Sequence, residues 1–213
     1  MNSKTKYSPS DEKINSDFYG YFLNIHEDDG WGDGDKYGNF AYLAKLSEYT
    51  HTPFENASVL DVGCGTGDLS AYLRELGLKS YTGIDLFPLS AKLAQLKFPH
   101  ETFLIGDFLT TDFEEKFDFV FFSGTLAAIL ESDNYTIMEA FIDKMWSLCI
   151  RGVALNFLTR KSAQEKDDML FLYDLDRVLE IVHKVAPTAK IEHILNRAGD
   201  KKEFLQTHLY LIK

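Results

Sequence analysis

The sequence predicts an α/β fold with a mostly parallel sheet and helices on both of its faces. Short apolar segments alternate with amphipathic segments between residues 58 and 185, which is the order of elements that builds βαβ units. Two further apolar runs, 190–195 and 208–212, are joined by a polar turn. They predict an antiparallel hairpin that closes the sheet.

Five segments are the predicted parallel strands. Each is a short apolar run, and the fourth is apolar enough to be buried on both faces. In chain order they are 58–62, 80–85, 102–105, 117–122 and 152–158. Apolar residues spaced three and four positions apart predict helices between them, near 69–76, 89–96, 135–148 and 174–185.

The length of 213 residues predicts a single domain over 1–213. The core of the fold is predicted over 51–213, and residues 1–50 are predicted to form an N-terminal lid or helical segment. Within that segment, residues 1–17 are polar and predict a loose start to the chain. The aromatic and acidic residues that follow lead into a helical pattern from Phe40.

The net charge of −11 argues against a nucleic-acid partner, because binding to phosphates needs a basic surface. The chain starts without the apolar run of a signal peptide, and no stretch has the length and apolarity of a membrane span. The two cysteines, Cys64 and Cys149, do not suggest a disulfide framework. We therefore predict a cytoplasmic protein without a membrane partner, and the oligomeric state stays open.

Glycines after the first predicted strand form the most informative motif. Gly63-x-Gly65-x-Gly67 follows the strand and precedes an amphipathic helix, which is the context of a nucleotide-binding loop. Glycine permits a tight turn and a close approach of the backbone to a ligand. The loop therefore predicts a nucleotide-like ligand.

Acidic residues beside the loop argue against a dinucleotide. A dinucleotide loop has the spacing G-x-G-x-x-G and binds a pyrophosphate at a helix N-terminus. Here the third glycine comes one position early, and Asp61 and Asp68 flank the loop. Two carboxylates repel a pyrophosphate but suit a ligand with a positive centre and an ammonium group. S-adenosylmethionine carries both and has no phosphate.

Acidic residues at the next two strand ends extend the predicted site. Asp85 ends the second strand, where a carboxylate can accept hydrogen bonds from both ribose hydroxyls. Enzymes that use NAD place an acid similarly, so Asp85 alone does not discriminate between the two ligands. Asp107 follows the third strand and is predicted to accept a hydrogen bond from an adenine amino group, with Phe108 beside the ring.

Residues 59–67 resemble the first motif of class I S-adenosylmethionine-dependent methyltransferases, and the resemblance covers about residues 57–158. Gly83-Ile84-Asp85 is similar to the second motif of this family, and Gly106-Asp107 is similar to its adenine-contacting motif. The resemblance implies a Rossmann-like fold with a seven-stranded sheet, S-adenosylmethionine as the cofactor and S-adenosylhomocysteine as the product. The residues it places at the cofactor are Asp61, Gly63, Cys64, Gly65, Gly67, Asp85, Leu86, Asp107, Phe108, Ser123 and Gly124.

The methyl acceptor leaves a weaker signal, since methyl transfer depends mainly on aligning a nucleophile with the methyl group and excluding water. Many small-molecule methyltransferases have a histidine shortly after the fourth strand, and this chain has none there. We predict transfer to an oxygen or nitrogen atom of a small molecule. The predicted catalytic residues are Tyr21 and His26 in the N-terminal segment and Thr125 after the fourth strand.

Two alternatives stay open at the level of sequence. One is a methyltransferase that acts on RNA or protein, and the other is a cofactor-binding protein without catalysis. No cluster of His, Cys and Asp has the spacing of metal ligands, so no catalytic metal is predicted.

Overall fold

The computed structural model of the chain describes residues 7–26, 33–161, 165, 167–198 and 202–213, and the side chains of 22–26, 33–37, 194–198 and 202–204 lie outside the description. The helices are α1 (Pro9–His26), α2 (Asp33–Tyr49), α3 (Asp68–Glu75), α4 (Pro88–Lys97), α5 (Asn134–Leu148) and α6 (Leu175–Val182). The strands are β1 (Ser58–Val62), β2 (Ser80–Asp85), β3 (Thr102–Ile105), β4 (Phe117–Ser123), β5 (Cys149–Thr159), β6 (Ala189–Ala198) and β7 (Lys202–Ile212).

The strands form one seven-stranded sheet in the order β3-β2-β1-β4-β5-β7-β6. Strands β1 to β5 pair in parallel, whereas β7 is antiparallel to both β5 and β6. The predicted fold class is therefore confirmed. The strand order changes direction between the neighbours β1 and β4, so their carboxyl ends lie side by side at the topological switch point, where ligands of such sheets bind.

The closing hairpin is longer than the sequence predicts. Strand β7 begins at Lys202 rather than near residue 208, and β6 continues to Ala198. Three polar residues of β7, Gln206, Thr207 and His208, are fully or almost fully buried. They pair with β5 in register, so the strand includes polar residues that do not follow its apolar pattern.

Two apolar cores lie on opposite faces of the sheet. Successive side chains of a strand point to opposite faces, so Leu60 belongs to the core formed with α5 and α6, and Val59 belongs to the core formed with α2 and α3. Phe119 and Phe121 of β4 face the second of these cores, and Val120 faces the first. The sheet is thus covered on both faces. Across the described parts of the chain, no helix has the length and apolarity needed to cross a membrane.

Helix α1 begins at Pro9, which corrects the predicted loose start of residues 1–17 from Pro9 onward; residues 1–6 lie outside the described residues. Ser8 precedes the helix, and its hydroxyl accepts a hydrogen bond from the backbone N–H of Asp11 at 3.1 Å. The Asp11 carboxylate accepts in return from the backbone N–H of Ser8 at 3.2 Å. This reciprocal pair is the geometry of a capping box, and proline suits the first helical turn because its φ is fixed and it needs no N–H acceptor.

Asp11 also ties α1 to the segment that precedes α5. Its Oδ1 accepts from the backbone N–H groups of Glu131 at 2.9 Å and Ser132 at 3.1 Å, and its Oδ2 accepts from the Ser132 hydroxyl at 2.5 Å. Burial opposes the charged form of Asp11, but the hydrogen bonds from Ser132 and Ser8 outweigh burial and lower its pKa to about 2. A buried carboxylate therefore fixes the N-terminal helix against the body of the fold.

We expect Asp11→Ala to lower the free energy of opening of α1 by about 2 kcal/mol near neutral pH, which is the value of a carboxyl pKa lowered from 3.8 to about 2. Since the folded pKa lies below the unfolded one, this stabilisation is complete at a pH well above 3.8 and is lost as the pH falls through 2. Hydrogen exchange of the α1 amides across this pH range measures the effect.

The control is Asp17→Ala on the same helix, which removes only an exposed ion pair with Lys13. Its expected cost is below about 0.5 kcal/mol. Equal losses in the two variants, or a loss in Asp11→Ala that does not change with pH, would contradict the assignment.

Candidate functional site

A cavity of about 440 Å³ lies at the carboxyl ends of β1, β2 and β4. Nine of the eleven residues that the sequence places at the cofactor line this cavity. They are Asp61, Gly63, Cys64, Gly65, Asp85, Leu86, Phe108, Ser123 and Gly124. The other two, Gly67 and Asp107, are not among the lining residues.

The glycine loop has a backbone that only glycine adopts without strain. Gly63, Gly65 and Gly67 have φ values of 73°, 53° and 82°. A Cβ added to Gly63 would lie 2.2 Å from the Thr125 hydroxyl oxygen, so β1 and the segment after β4 touch at this point. A Cβ on Gly67 would lie 2.8 Å from the Phe103 ring, so this third glycine allows packing against β3.

Asp85 holds the loop and borders the cavity. Its Oδ2 accepts from the backbone N–H of Gly65 at 2.8 Å, and its Oδ1 accepts from the backbone N–H of Phe87 at 2.7 Å. Each carboxylate oxygen has a second lone pair, so both can also accept from a diol in the cavity. The carboxylate thus positions the glycine loop and offers acceptors at the place where the sequence predicts a ribose.

The two acids that flank the loop have different surroundings. Asp61 is 2% exposed, lines the cavity and accepts a hydrogen bond from the Tyr81 hydroxyl at 2.5 Å. Asp68 also lines the cavity, but it forms an ion pair with Lys97 at 2.9 Å. Part of the sequence argument is therefore corrected: the charge of Asp68 is offset by Lys97, and the repulsion of a pyrophosphate depends mainly on Asp61 and Asp85.

Aromatic rings form the far end of the cavity, after β3. Phe108 and Phe141 both line it, with ring centroids 5.3 Å apart. Asp107 turns toward its own loop, where its Oδ1 accepts from the backbone N–H of Leu109 at 2.8 Å. The predicted adenine region is thus aromatic, and the Asp107 carboxylate holds the turn that presents Phe108.

Cys64 lies in the loop between these regions and is 7% exposed. Burial raises the pKa of its thiol well above the ordinary value, and the nearby charges of Asp85 and Asp61 add to this effect. The thiol is therefore protonated at neutral pH and unsuited to act as a nucleophile.

The segment after β4 is fixed by buried amide and imidazole groups. The backbone N–H of Gly124 donates to Asn156 Oδ1 at 2.9 Å, and Asn156 Nδ2 lies 3.2 Å from the Ser123 hydroxyl and 3.4 Å from His208 Nε2. Because Asn156 Nδ2 is a donor, His208 Nε2 accepts. Burial lowers the pKa of His208 to about 4, so the ring is neutral at physiological pH.

Tyr19 of α1 forms hydrogen bonds to the same segment after β4. Its hydroxyl donates to the carbonyl of Gly124 at 2.7 Å and accepts from the backbone N–H of Ala127 at 3.3 Å. Tyr19 also lines the cavity, and burial raises the pKa of this hydroxyl. Gly124 is thus held by β5 through its N–H and by α1 through its carbonyl.

Several lining residues were not among the sequence predictions. They come from the two N-terminal helices and from the start of α4: Tyr7, Glu12, Lys13, Asn15, Ser16, Asn39, Phe40, Phe87 and Ser90. One signal was available for α1, because Asp11, Asn15 and Tyr19 are spaced four apart and lie on one helix face. The residues from α2 and α4 follow no motif of their own.

The predicted catalytic residues lie in different places. Thr125 lines the cavity, and its hydroxyl is within hydrogen-bond distance of the carbonyls of Val62 at 3.0 Å and Ser123 at 3.2 Å. Tyr21 is 51% exposed and is not among the lining residues. His26 ends α1, and its side chain lies outside the described residues. Where side chains are described, no three His, Cys, Asp or Glu residues are grouped to hold a metal ion.

Comparison with known proteins gives a family model and a set of similar structures. Residues 59–147 match a family model described as a methyltransferase domain. The fold is similar to that of magnesium protoporphyrin IX methyltransferase (ChlM) from Synechocystis PCC 6803 with bound SAM, with 20% identity, a TM-score of 0.66, and coverage of 97% of this chain and 99% of that chain.

Two further solved structures share the fold. N-methyltransferase NodS from Bradyrhizobium japonicum WM9 has 18% identity and a TM-score of 0.64 over 85% of this chain and 98% of that chain. A TehB-like SAM-dependent methyltransferase from Corynebacterium glutamicum ATCC 13032 has 19% identity and a TM-score of 0.56 over 84% of this chain and 96% of that chain. No curated protein shows significant similarity to the sequence.

We expect Gly63→Ala to lower the free energy of unfolding by more than about 2 kcal/mol, because the new Cβ adds a clash with Thr125 to an unfavourable φ. Adding Thr125→Ala is expected to recover part of this loss, since it removes the clashing atoms. Urea unfolding of the two single variants and the double variant measures the coupling.

The matched control is Gly38→Ala in α2, where an added Cβ has no atom within 4 Å. This substitution is expected to be neutral or to stabilise the helix by up to about 1 kcal/mol. Purely additive losses in the double variant would show that the contact between Gly63 and Thr125 does not constrain the loop.

Proposed function

We propose that this chain is a class I S-adenosylmethionine-dependent methyltransferase, and that it transfers a methyl group from this cofactor to an oxygen or nitrogen atom of a small molecule held beneath α1. One observation carries the proposal. The glycine loop after β1, the segment after β4 and helix α1 line the same cavity. A cofactor bound by the first two therefore has α1 as the opposite wall.

The lining residues fit the cofactor in shape and in chemistry. The positive φ of Gly63 and Gly65 lets the backbone approach a ligand closely, and Asp85 offers acceptors to a ribose. Phe108 and Phe141 provide apolar contact for a purine ring. The buried acid Asp61 suits the ammonium group of the methionine portion. These features support methionine, ribose and adenine regions in that order along the cavity.

Helix α1 is proposed to act as a lid. Side-chain hydrogen bonds join it to the body of the fold through Asp11 with residues 131–132 and through Tyr19 with residues 124–127, and Ile14 and Phe18 pack against the core. Between them, Glu12, Asn15 and Ser16 line the cavity. A helix fixed in this way excludes water from the reacting groups while leaving the sheet unchanged.

The protein's part in the reaction is alignment rather than acid–base chemistry. The cofactor supplies a methyl group on a positively charged sulfur, which is a good leaving group. Gly124 is held through both its N–H and its carbonyl, so the backbone beside the proposed acceptor has little freedom to move. The lining residues include no histidine, so proton removal by a neutral imidazole has no support among the described residues. A small, positioned acceptor fits this arrangement.

We expect Asp85→Ala to weaken binding of S-adenosylhomocysteine by at least about tenfold, the value of a hydrogen bond to a charged group. Since Asp85 also holds Gly65 and Phe87, binding must be compared for S-adenosylhomocysteine and its 2′-deoxy analogue. The wild-type protein is expected to prefer the ribose form, and the variant is expected to lose that preference. Calorimetry measures both, and equal discrimination in the two proteins would exclude the ribose contact.

We expect Tyr19→Phe to lower turnover by about tenfold with little change in cofactor affinity, because it frees the Gly124 carbonyl without altering the glycine loop. Hydrogen exchange of residues 124–130 should increase at the same time. Tyr21→Phe on the same helix is the matched control and also tests the earlier catalytic prediction for Tyr21. If Tyr21→Phe loses turnover and Tyr19→Phe does not, the proposed role of the hydrogen bonds between the Tyr19 hydroxyl and residues 124–127 is refuted.

A further inference from the structure

Resting on the function proposed above, we propose that the methyl acceptor is a small amine and that Asn15 of α1 determines this specificity by accepting a hydrogen bond from it. The inference depends on the polar groups that α1 contributes to the cavity, on the unsatisfied oxygen of Asn15 and on the charges of the lining residues.

Asn15 is the central residue of the α1 face that closes the cavity. It lies one helical turn from Asp11 and one from Tyr19, the two residues that bond α1 to the segment between β4 and α5. Its side chain is 5% exposed and lines the cavity. Asn15 thus faces the same segment as the residues beside the proposed acceptor.

The orientation of the Asn15 amide follows from its hydrogen bond. Asn15 Nδ2 donates to the carbonyl of Asp11 at 3.1 Å, and a carbonyl can only accept, so the nitrogen must be the atom on that side. Oδ1 is buried and has no hydrogen-bond partner among the described residues. A buried acceptor without a donor is unfavourable, and a ligand N–H in the adjoining cavity would satisfy it after a small rotation of the side chain.

The charges of the lining residues favour the same class of ligand. Four carboxylates line the cavity, Glu12, Asp61, Asp68 and Asp85, of which Asp68 is paired with Lys97. Among the described lining residues, the single basic side chain is Lys13, which is 74% exposed and pairs with Asp17. A carboxylate acceptor would meet repulsion without a buried cation to offset it, whereas an amine or ammonium group would be attracted.

The Tyr19 hydroxyl, on the same helix face, does not replace Asn15. It already donates to Gly124 and accepts from Ala127, so its proton is committed within the protein. The Ser16 hydroxyl also lines the cavity and can donate or accept, whereas Asn15 Oδ1 and the Glu12 carboxylate accept and therefore require a donor on the ligand. A neutral primary amine provides two N–H donors, and an alcohol provides one.

The proposed step balances without any further reagent. The lone pair of a neutral amine forms the new N–C bond as the C–S bond breaks, and the electron pair of that bond stays on sulfur as a thioether. The methylated nitrogen then carries the positive charge, and it either keeps this charge as an ammonium group or loses a proton to solvent. A neutral amine needs no strong base before attack, which agrees with a lining that contains no histidine among the described residues.

The test uses a panel of compounds in sets of three, in which an amine, an alcohol and a carboxylate share the same alkyl or aryl body. Methyl transfer from labelled S-adenosylmethionine and the thermal midpoint of protein loaded with S-adenosylhomocysteine are measured for each compound. We expect label on the amines, and a raised midpoint with amines alone. Preference for an alcohol or a carboxylate, or a panel in which no amine is methylated, overturns the proposal.

Two variants isolate Asn15. Asn15→Leu keeps the size of the side chain and removes the acceptor, and it is expected to lower kcat/KM for amines by about tenfold or more while S-adenosylhomocysteine affinity stays within about twofold. Asn15→Gln keeps both the amide nitrogen and the amide oxygen and is expected to retain more amine use than Asn15→Leu. Equal loss of amine use and cofactor affinity in Asn15→Leu would instead place Asn15 at the cofactor, and equal loss of amine use in Asn15→Gln and Asn15→Leu also overturns the proposal.

The outcomes separate this inference from the proposed function. If the proposed function is wrong, no compound of the panel is methylated and S-adenosylhomocysteine does not raise the thermal midpoint. If only the inference is wrong, methyl transfer occurs to alcohols or carboxylates, or to amines with no effect of Asn15→Leu.

Discussion

The close contact between Gly63 and Thr125 is the constraint on which the site depends. Strands β1 and β4 are neighbours at the switch point of the sheet, so the loops that leave their carboxyl ends must share one small volume. They share it because Gly63 has no Cβ and adopts a positive φ, which leaves room for the Thr125 side chain. The Thr125 hydroxyl lies 3.0 Å from the carbonyl of Val62 and so closes the contact. The glycine loop and the segment after β4 are therefore fixed relative to each other.

Buried polar groups also fix the site, because their hydrogen bonds connect distant parts of the chain. Asn156 of β5 holds Gly124 and contacts His208 of β7, and Tyr19 of α1 holds the other side of Gly124. Each such group costs free energy to bury unless it is bonded, and these bonds are directional. This accounts for His208 of β7: its Nε2 contacts the Asn156 amide, which in turn positions the segment after β4.

The sequence predicts the part of this structure that short-range patterns encode. Strands β1, β2 and β3 have the predicted ends, because apolar runs between glycine-rich or polar turns identify them. The first half of β7, before residue 208, was not predicted, since Gln206 and Thr207 are polar and are buried by pairing with β5. The sequence predicts an N-terminal lid or helical segment but not the start of α1 at Pro9, although Ser8 and Asp11 form a capping box that a search for local signals can find. Contacts such as Tyr19 with Gly124 join residues more than 100 positions apart, and no local pattern contains them.

The two sides of the cavity, the strand ends and helix α1, are therefore held in place by different interactions. Strand ends and the glycine loop form the half where we propose that the cofactor binds, and the hydrogen bonds of the sheet keep them in place. Helix α1 forms the opposite wall, and Asp11 and Tyr19 join it to the segment between β4 and α5 by a few hydrogen bonds. Each of these bonds contributes about 1 kcal/mol, or up to about 3 kcal/mol where a charge takes part, and Ile14 and Phe18 add apolar packing against the core. Because α1 contributes no strand to the sheet, it can separate while the strands stay paired, and we propose that ligands enter and leave there while the glycine loop keeps its shape.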